Sequence, residues 1–221
     1  MADSDRHNLS FAKGLNFYKL FWLFFIASFL GVVIETIWCL LTRGVIESRT
    51  GLILGPFNLV YGGGALCMTA GLYRLKNKPN RVILVGGFVI GSIFEYICSY
   101  FQEQFFGTIS WDYSNLWFNL NGRVNLLYSL FWGLLAIAWI RYLFPKASNL
   151  IEKIPNHIGT HLTWILVAFM ILNTSASAMA LYRQSERHVD LPPSNRIEKF
   201  FDNYYPDEVL QKIYPNMVFV E

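Results

Sequence analysis

Apolar residues along this chain come in five long runs, Leu20–Leu41, Asn58–Tyr73, Val82–Tyr100, Leu126–Leu143 and Leu162–Leu181, separated by short polar segments. Runs of this length match helices that cross hydrocarbon, which need about 20 apolar residues, and exceed ordinary strands. A polar and basic segment, residues 1–19, precedes the first run and carries Arg6, Lys13 and Lys19. No small-residue cleavage site closes that run, so the pattern predicts an uncleaved first span. Beyond the fifth run the pattern changes. In the stretch 183–221, Ile197, Phe200, Phe201 and Tyr204 recur at helical spacing behind Ser194 as a predicted N-cap, and Pro206-Asp207-Glu208 predicts the start of a second short helix. The fold expected is all-α, a polytopic integral membrane protein with about five transmembrane helices and a short amphipathic C-terminal tail lying on the membrane domain.

The second run differs from the others. Gly51–Phe57 precedes it and carries Gly55-Pro56, and Gly62, Gly63 and Gly64 stand together inside it. Pro56 has no amide hydrogen to donate and pushes Gly55 away from helical geometry. Backbone freed in this way is tolerated in hydrocarbon only where protein or a wet cavity surrounds it. Gly51–Phe57 is therefore expected to be an entering loop or re-entrant turn, with the span itself starting near Asn58.

The third run holds Gly87, Gly91 and Glu95 at steps of four, and Ser99 and Glu103 continue the stripe. Small residues at that spacing let two helices approach closely. Glu95 then points at the packed interface. In the first run Ser28, Gly31 and Glu35 share a face in the same manner. Between the third and fourth runs, Trp111, Tyr113, Trp117 and Phe118 are interleaved with Asp112, Asn119, Asn121 and Arg123. Aromatic belts at the headgroup level explain the rings. Asn121-Gly122 is a turn signal that turns Arg123 back toward nearby acids. In the fifth run Asn173, Thr174, Ser175 and Ser177 are expected to hydrogen-bond a neighbouring helix.

Composition supports the membrane reading. Of 221 residues 54% are hydrophobic and only 15% charged, against about a quarter charged in ordinary soluble domains. The net charge of +3 is spread over short clusters, which argues for membrane topology and against nucleic-acid binding. Basic residues are denser in 1–19, Arg74–Arg81 and Arg141–Lys153 than in the alternate loops holding Arg43, Arg49 and Arg123. That bias predicts a cytoplasmic N-terminus. Cys39, Cys67 and Cys98 have no ligand spacing and read as small buried hydrophobes. His157 and His161 lack a carboxylate partner, and no P-loop, nucleophile elbow or zincin motif occurs. No metal, cofactor or catalytic residue is assigned.

With alternate ends of the spans on one face, Glu35, Glu95, Glu103, Asp112 and Arg123 are expected to converge on one cavity with the Gly55-Pro56 turn at its mouth. Ionisable groups in a bilayer cost about 2.5–3.5 kcal/mol each and usually mark a pathway or are paired. Two readings stand side by side: a structural pair of Arg123 with Glu95 or Glu35, and a polar site for a proton or a charged or hydroxylated substrate.

The segments FWLFFIASFLGVVIET, GLILGPFNLVYGGGAL, IFEYICSY and WDYSNLWFNLNGRVNLLYSLFWG resemble the CmpB-type, ABC-transporter type IV permease family of small bacterial membrane proteins, over about Phe21–Phe144. YPDEVLQKIYPN in the tail is also similar to sequences that follow this domain. The resemblance places family-type positions at Glu35, Gly55, Pro56, Tyr61, Gly62, Glu95, Trp111, Asp112, Asn119, Gly122, Arg123 and Trp132. Asn58-Leu59-Val60 departs from the family pattern, which has a second proline before Tyr61-Gly62. The resemblance implies a bacterial cytoplasmic membrane and a permease; read together with the residues above, the expected substrate or ion site is built by Glu35, Glu95 and Arg123, with Glu103 and Tyr61 also among its binding residues and Asp112 and Asn119 at its mouth. An ATP-driven permease of this kind needs a separate ATPase, and five spans favour a homodimer through a glycine face or a partner subunit. The alternatives are a membrane-embedded enzyme acting on a lipid or lipid-linked substrate, and an accessory scaffold in which the acids are structural.

Overall fold

A computed structural model describes residues 10–220; Arg6 and His7 of the opening segment lie outside them. The chain is all-helical apart from four two-residue strands among the described residues. Helix α1, Phe17–Arg43, starts where the Asn16 side chain accepts from the Lys19 amide. It stops at Gly44, whose left-handed backbone turns its N–H onto Leu40 O. Helix α2 covers Leu59–Leu72 and runs into a 3₁₀ turn, Tyr73–Leu75. Helix α3, Asn80–Phe106, follows Pro79 and ends at left-handed Gly107.

Helix α4, Leu126–Ala138, passes through a π-helical turn, Trp139–Leu143, into α5, Phe144–Glu152. The expected fourth span thus extends by nine residues into what the sequence reads as a loop. Pro145 has no amide hydrogen to return to the preceding turn, and the ladder widens just ahead of it instead of stopping. Helix α6 is longer than the fifth run, Asn156–His188.

Four rods, Phe17–Arg43, Asn80–Phe106, Leu126–Glu152 and Asn156–His188, are long and apolar enough to cross a membrane. With α2 they make an all-α membrane protein. At 1.5 Å per residue α2 is about 21 Å long, short of the ~30 Å hydrocarbon core. The non-helical Gly51–Phe57 loop precedes it, folded back on itself by bonds from the Gly51 and Leu52 amides to Phe57 O, and Asn58 N donates to Ser28 O, well inside α1. Large apolar side chains such as Ile34, Trp38, Val85, Ile93, Ile165 and Leu172 face outward, as a lipid solvent permits.

The near face of the bundle holds the start of α1, the turn before α3 and the α5–α6 junction. There Lys19, buried, donates to Ser148 and Glu152, and Arg141 binds Asn80 and the carbonyls of Lys76 and Lys78. The far face holds Gly44–Thr50, the loop 107–125 and the tail. In that loop β2, Asn119–Leu120, pairs antiparallel with β3, Val124–Asn125. Next to it β1, Thr108–Ile109, pairs antiparallel with β4, Val218–Phe219, and ties the tail to the end of α3.

The tail forms α7, Arg196–Tyr204, and α8, Asp207–Ile213. The N-cap of α7 is Asn195, which accepts from the amides of Ile197 and Glu198. Ser194 sits one residue outside and bonds the Glu198 carboxylate instead. Phe201, Leu210 and Tyr214 pack with Ala180 of α6, and Ile53 of the Gly51–Phe57 loop joins them. Arg183, fully buried, donates to Asp202 at 2.9 and 3.1 Å and to Glu186 at 2.6 Å. One turn on, Arg187 binds Asp202 at 2.5 Å and Asp207 at 2.6 Å. The tail is clamped by charge as well as by apolar packing.

Candidate functional site

The stripe along α3 builds the site. Gly87 and Gly91 lie hard against α4: a Cβ on Gly91 would collide with the Trp132 side chain, and one on Gly87 with Ala136. The close approach lays the indole across α3, where its Nε1 donates to Glu95 Oε2 at 3.1 Å. Glu95 Oε1 accepts from the Tyr113 hydroxyl at 2.9 Å. Glu95 is 7% exposed, and among the described residues no Lys, Arg or His forms an ion pair with it. One turn further Ser99 accepts from Arg123 at 3.1 Å, and after another turn Glu103 pairs with the same guanidinium at 2.5 Å. Tyr96 and Tyr100 flank that guanidinium, with ring centroids 5.8 and 5.6 Å away.

Tyr113 reaches Glu95 because the far-face loop is stapled. Its amide donates to Gly122 O, and its ring stacks on Tyr128 with centroids 4.6 Å apart. Asp112 accepts from the amide and hydroxyl of Ser114. Asn119 donates to Ser114 O and Leu116 O and accepts from Gly122 N. Asn121 and Gly122 both have left-handed backbones, φ 53° and 68°, which the hairpin turn requires. Trp111 Nε1 then donates to the Arg123 carbonyl. The Ser114 hydrogen bonds hold the Asp112 carboxyl below the usual range. Burial first, then the neighbouring Glu95, Tyr128 and Glu35, pushes the Tyr113 hydroxyl far above the ordinary phenol range.

Glu35 belongs to a second group. It pairs with Arg49 at 3.6 Å, and Arg49 also binds Glu47 at 2.7 Å and the Cys39 sulfur at 3.4 Å. Tyr61 packs its ring on Gly31, one turn before Glu35. Arg123 pairs with neither Glu35 nor Glu95, so the two structural pairs weighed from sequence are both replaced, by Arg49 with Glu35 and by Arg123 with Glu103. The reason is register: the hairpin delivers Arg123 one and two turns beyond Glu95, beside Ser99 and Glu103. Asp112 and Asn119, expected at a cavity mouth, spend their polar atoms on the loop backbone. A cleft of about 200 Å³ opens at the far face between Glu103, Trp111, Asp112 and Arg123.

The Gly51–Phe57 segment is non-helical. Gly55 is left-handed, φ 75°, and Phe57 O accepts from the amides of Gly51 and Leu52. Asn173 on α6, fully buried, donates to Leu54 O at 2.7 Å and accepts from Leu54 N at 3.1 Å. Ser177 accepts from Ile53 N. The polar run of α6 thus binds unwound backbone where a helix was expected. Pro56 sits between Gly55 and Phe57, at the turn. The three glycines that follow face three partners: Gly62 meets Ser28 and Phe24, Gly63 meets Phe94, and Gly64 meets Trp132. These glycine surfaces are occupied within the chain, so they are not free to join two copies.

Tyr113 and Arg49 escaped the sequence reading. A tyrosine in an aromatic loop reads as a headgroup anchor, and an arginine in a short loop reads as a topology signal. Trp132 had a usable signal, since Gly87 and Gly91 predict a large side chain from the facing helix. No group of His, Cys, Asp and Glu among the described residues has the geometry of a metal site, and the three cysteines are free.

The family model described as "Putative ABC-transporter type IV" matches residues 22–178, and the chain belongs to that family. No curated protein and no solved structure matches the chain.

Proposed function

We propose that this chain is the membrane-spanning, permease-like component of a transport system, and that Glu95 is the centre of its polar site. The observation that carries the reading is a buried carboxylate held by two neutral donors, Tyr113 and Trp132, with no ion-pair partner among the described residues. A carboxylate so placed is matched to a proton or a small cation, because either supplies the positive charge that the side chains leave out. Glu35, partly exposed, is shared with Arg49. The Arg123–Glu103 pair closes the stripe on the far side, with Asp112 and Asn119 shaping the loop over it and Tyr61 packing α2 on α1.

The unwound Gly51–Phe57 loop is compatible with the same reading, since broken backbone at membrane depth is tolerated where protein buries it or a water-filled pathway runs beside it. An ATP-driven cycle requires a separate ATPase subunit, the chain having no phosphate loop. A second copy or a partner subunit meets it through lipid-facing side chains. The loop charges favour a cytoplasmic N-terminus in a bacterial cytoplasmic membrane.

The test is flux. Purified chain, with and without its co-purifying subunits, is reconstituted in vesicles carrying a proton or alkali-cation gradient and a reporter dye. Glu95→Gln is expected to remove most of the flux while the melting temperature moves little. Equal flux in the variant and the wild type would take Glu95 out of the pathway.

A further inference from the structure

Helix α7 packs by the wrong side for an ordinary amphipathic helix. Its contacts to α6 run through Phe201 and through Asp202 and Glu198, which face Arg183 and Arg187. Its apolar ridge points away from the protein: Ile197, Phe200 and Tyr204 are 62%, 50% and 65% exposed, with the last two rings 4.6 Å apart. The chain leading into the helix adds exposed Val189 and Leu191. Single exposed apolar residues need no explanation, but a contiguous aromatic ridge on a surface helix does.

We propose that this ridge docks into the headgroup region of the bilayer, with a preference for anionic lipid. Three observations choose that occupant. The ion clamp fixes α7 to the last turns of α6, a rod long and apolar enough to span, so the helix lies where that rod leaves the hydrocarbon. Near the clamp α6 itself ends in an exposed aromatic, Tyr182, 46% exposed, the kind of side chain that sits at the headgroup level. Arg196 borders the ridge and Lys199 lies on the polar side of the same helix; neither forms an ion pair among the described residues, and both are exposed. Basic residues beside and opposite an aromatic face are the pattern of helices that lie in the interface plane. Interfacial docking would hold the tail, and with it β4 and the end of α3, at a fixed height above the spans.

The experiment uses the full chain in nanodiscs of phosphatidylcholine alone and of phosphatidylcholine with phosphatidylglycerol. Hydrogen exchange of α7 is expected to slow in the anionic discs, and Arg196→Glu with Lys199→Glu is expected to abolish the difference. In parallel, an environment-sensitive fluorophore on Tyr204→Cys, with Cys39, Cys67 and Cys98 replaced by alanine, reports depth. It should shift to the blue and be quenched by headgroup-level spin-labelled lipid more than by iodide, whereas the same label on Glu208→Cys stays iodide-accessible. Iodide access at Tyr204→Cys in both discs, together with exchange indifferent to lipid, overturns the proposal. Lipid-independent protection that grows with protein concentration overturns it in favour of a second copy. Neither readout depends on flux, so failure here leaves the reading of Glu95 standing.

Discussion

Two charged side chains are buried in this molecule in opposite ways. Arg183 on α6 is surrounded by Asp202, Glu186 and, at 3.9 Å, Glu198, so more negative charge faces it than it carries. Glu95 on α3 has, among the described residues, a phenol and an indole as its partners. Burying an ion is costly unless it is paired, and neutral hydrogen bonds offset only part of that cost. The first centre is complete within the chain and holds two pieces of structure together. The second has no counter-charge among the described residues, and on the proposed function a transported ion would supply it.

The largest effect that could break this contrast is at the clamp. Arg183→Met leaves the facing acids without their cation, and loss of one partner of a buried pair costs about 3–5 kcal/mol. Thermal melting should fall, and protease should cut the tail at 189–206 before the rods. If the variant melts like the wild type, Arg183 is as incomplete as Glu95 and the contrast disappears.

Acid tests the same centre without mutation. Burial raises the Asp202 pKa, but the hydrogen bonds from Arg183 and Arg187 outweigh it and set the carboxyl below its ordinary value. Ser194 and its amide lower Glu198 as well. Folded-state values below the unfolded ones mean stability that is full above the ordinary carboxyl range near pH 4, and lost as pH falls through the depressed values. Protection factors of the α7 and α8 amides, with the intrinsic pH dependence of exchange divided out, should therefore be flat from neutral pH to about pH 5 and fall steeply below about pH 4.

Smaller effects sharpen the other side. Tyr113→Phe removes one of the two donors on Glu95, an effect of about 1–3 kcal/mol for an orphaned buried acceptor. It should lower flux while leaving protease resistance of the tail unchanged. Asp112→Ala removes only an exposed turn contact, and neither flux nor melting should change measurably; a large loss of flux would move the polar site out into the far-face loop.

Much of this was legible because it is periodic. The apolar runs that seed α1, α3, α4 and α6, and the four-residue stripe ending in Glu95, Ser99 and Glu103, follow from helical geometry alone. The break at Gly55-Pro56 was legible from backbone sterics. What periodicity cannot supply is which residue on one element meets which on another. The turn at Asn121-Gly122 shows that Arg123 turns back, but the hairpin register decides that it lands on Glu103. Ile197, Phe200, Phe201 and Tyr204 read as one face of α7, but with Asp202 paired to α6 the set divides: Phe201 packs inward and the other three face outward. Arg183 and Arg187, one turn apart and followed by acids at 198, 202 and 207, were a readable signal for that clamp.

The contact between Asn173 and Leu54 also bears on how the protein is made. Among the described residues the unwound Gly51–Phe57 stretch finds the partners of Leu54 N, Leu54 O and Ile53 N on α6, more than a hundred residues later in the chain. While the ribosome is still making α3 and α4, those backbone groups have no protein to bond, and hydrocarbon offers none. The second passage therefore reaches its final depth only after α6 has entered the membrane. Biogenesis of this chain is expected to be post-insertional at one point, and nascent chains stalled before Asn156 should keep a reporter near Leu54 exposed to water-soluble reagents.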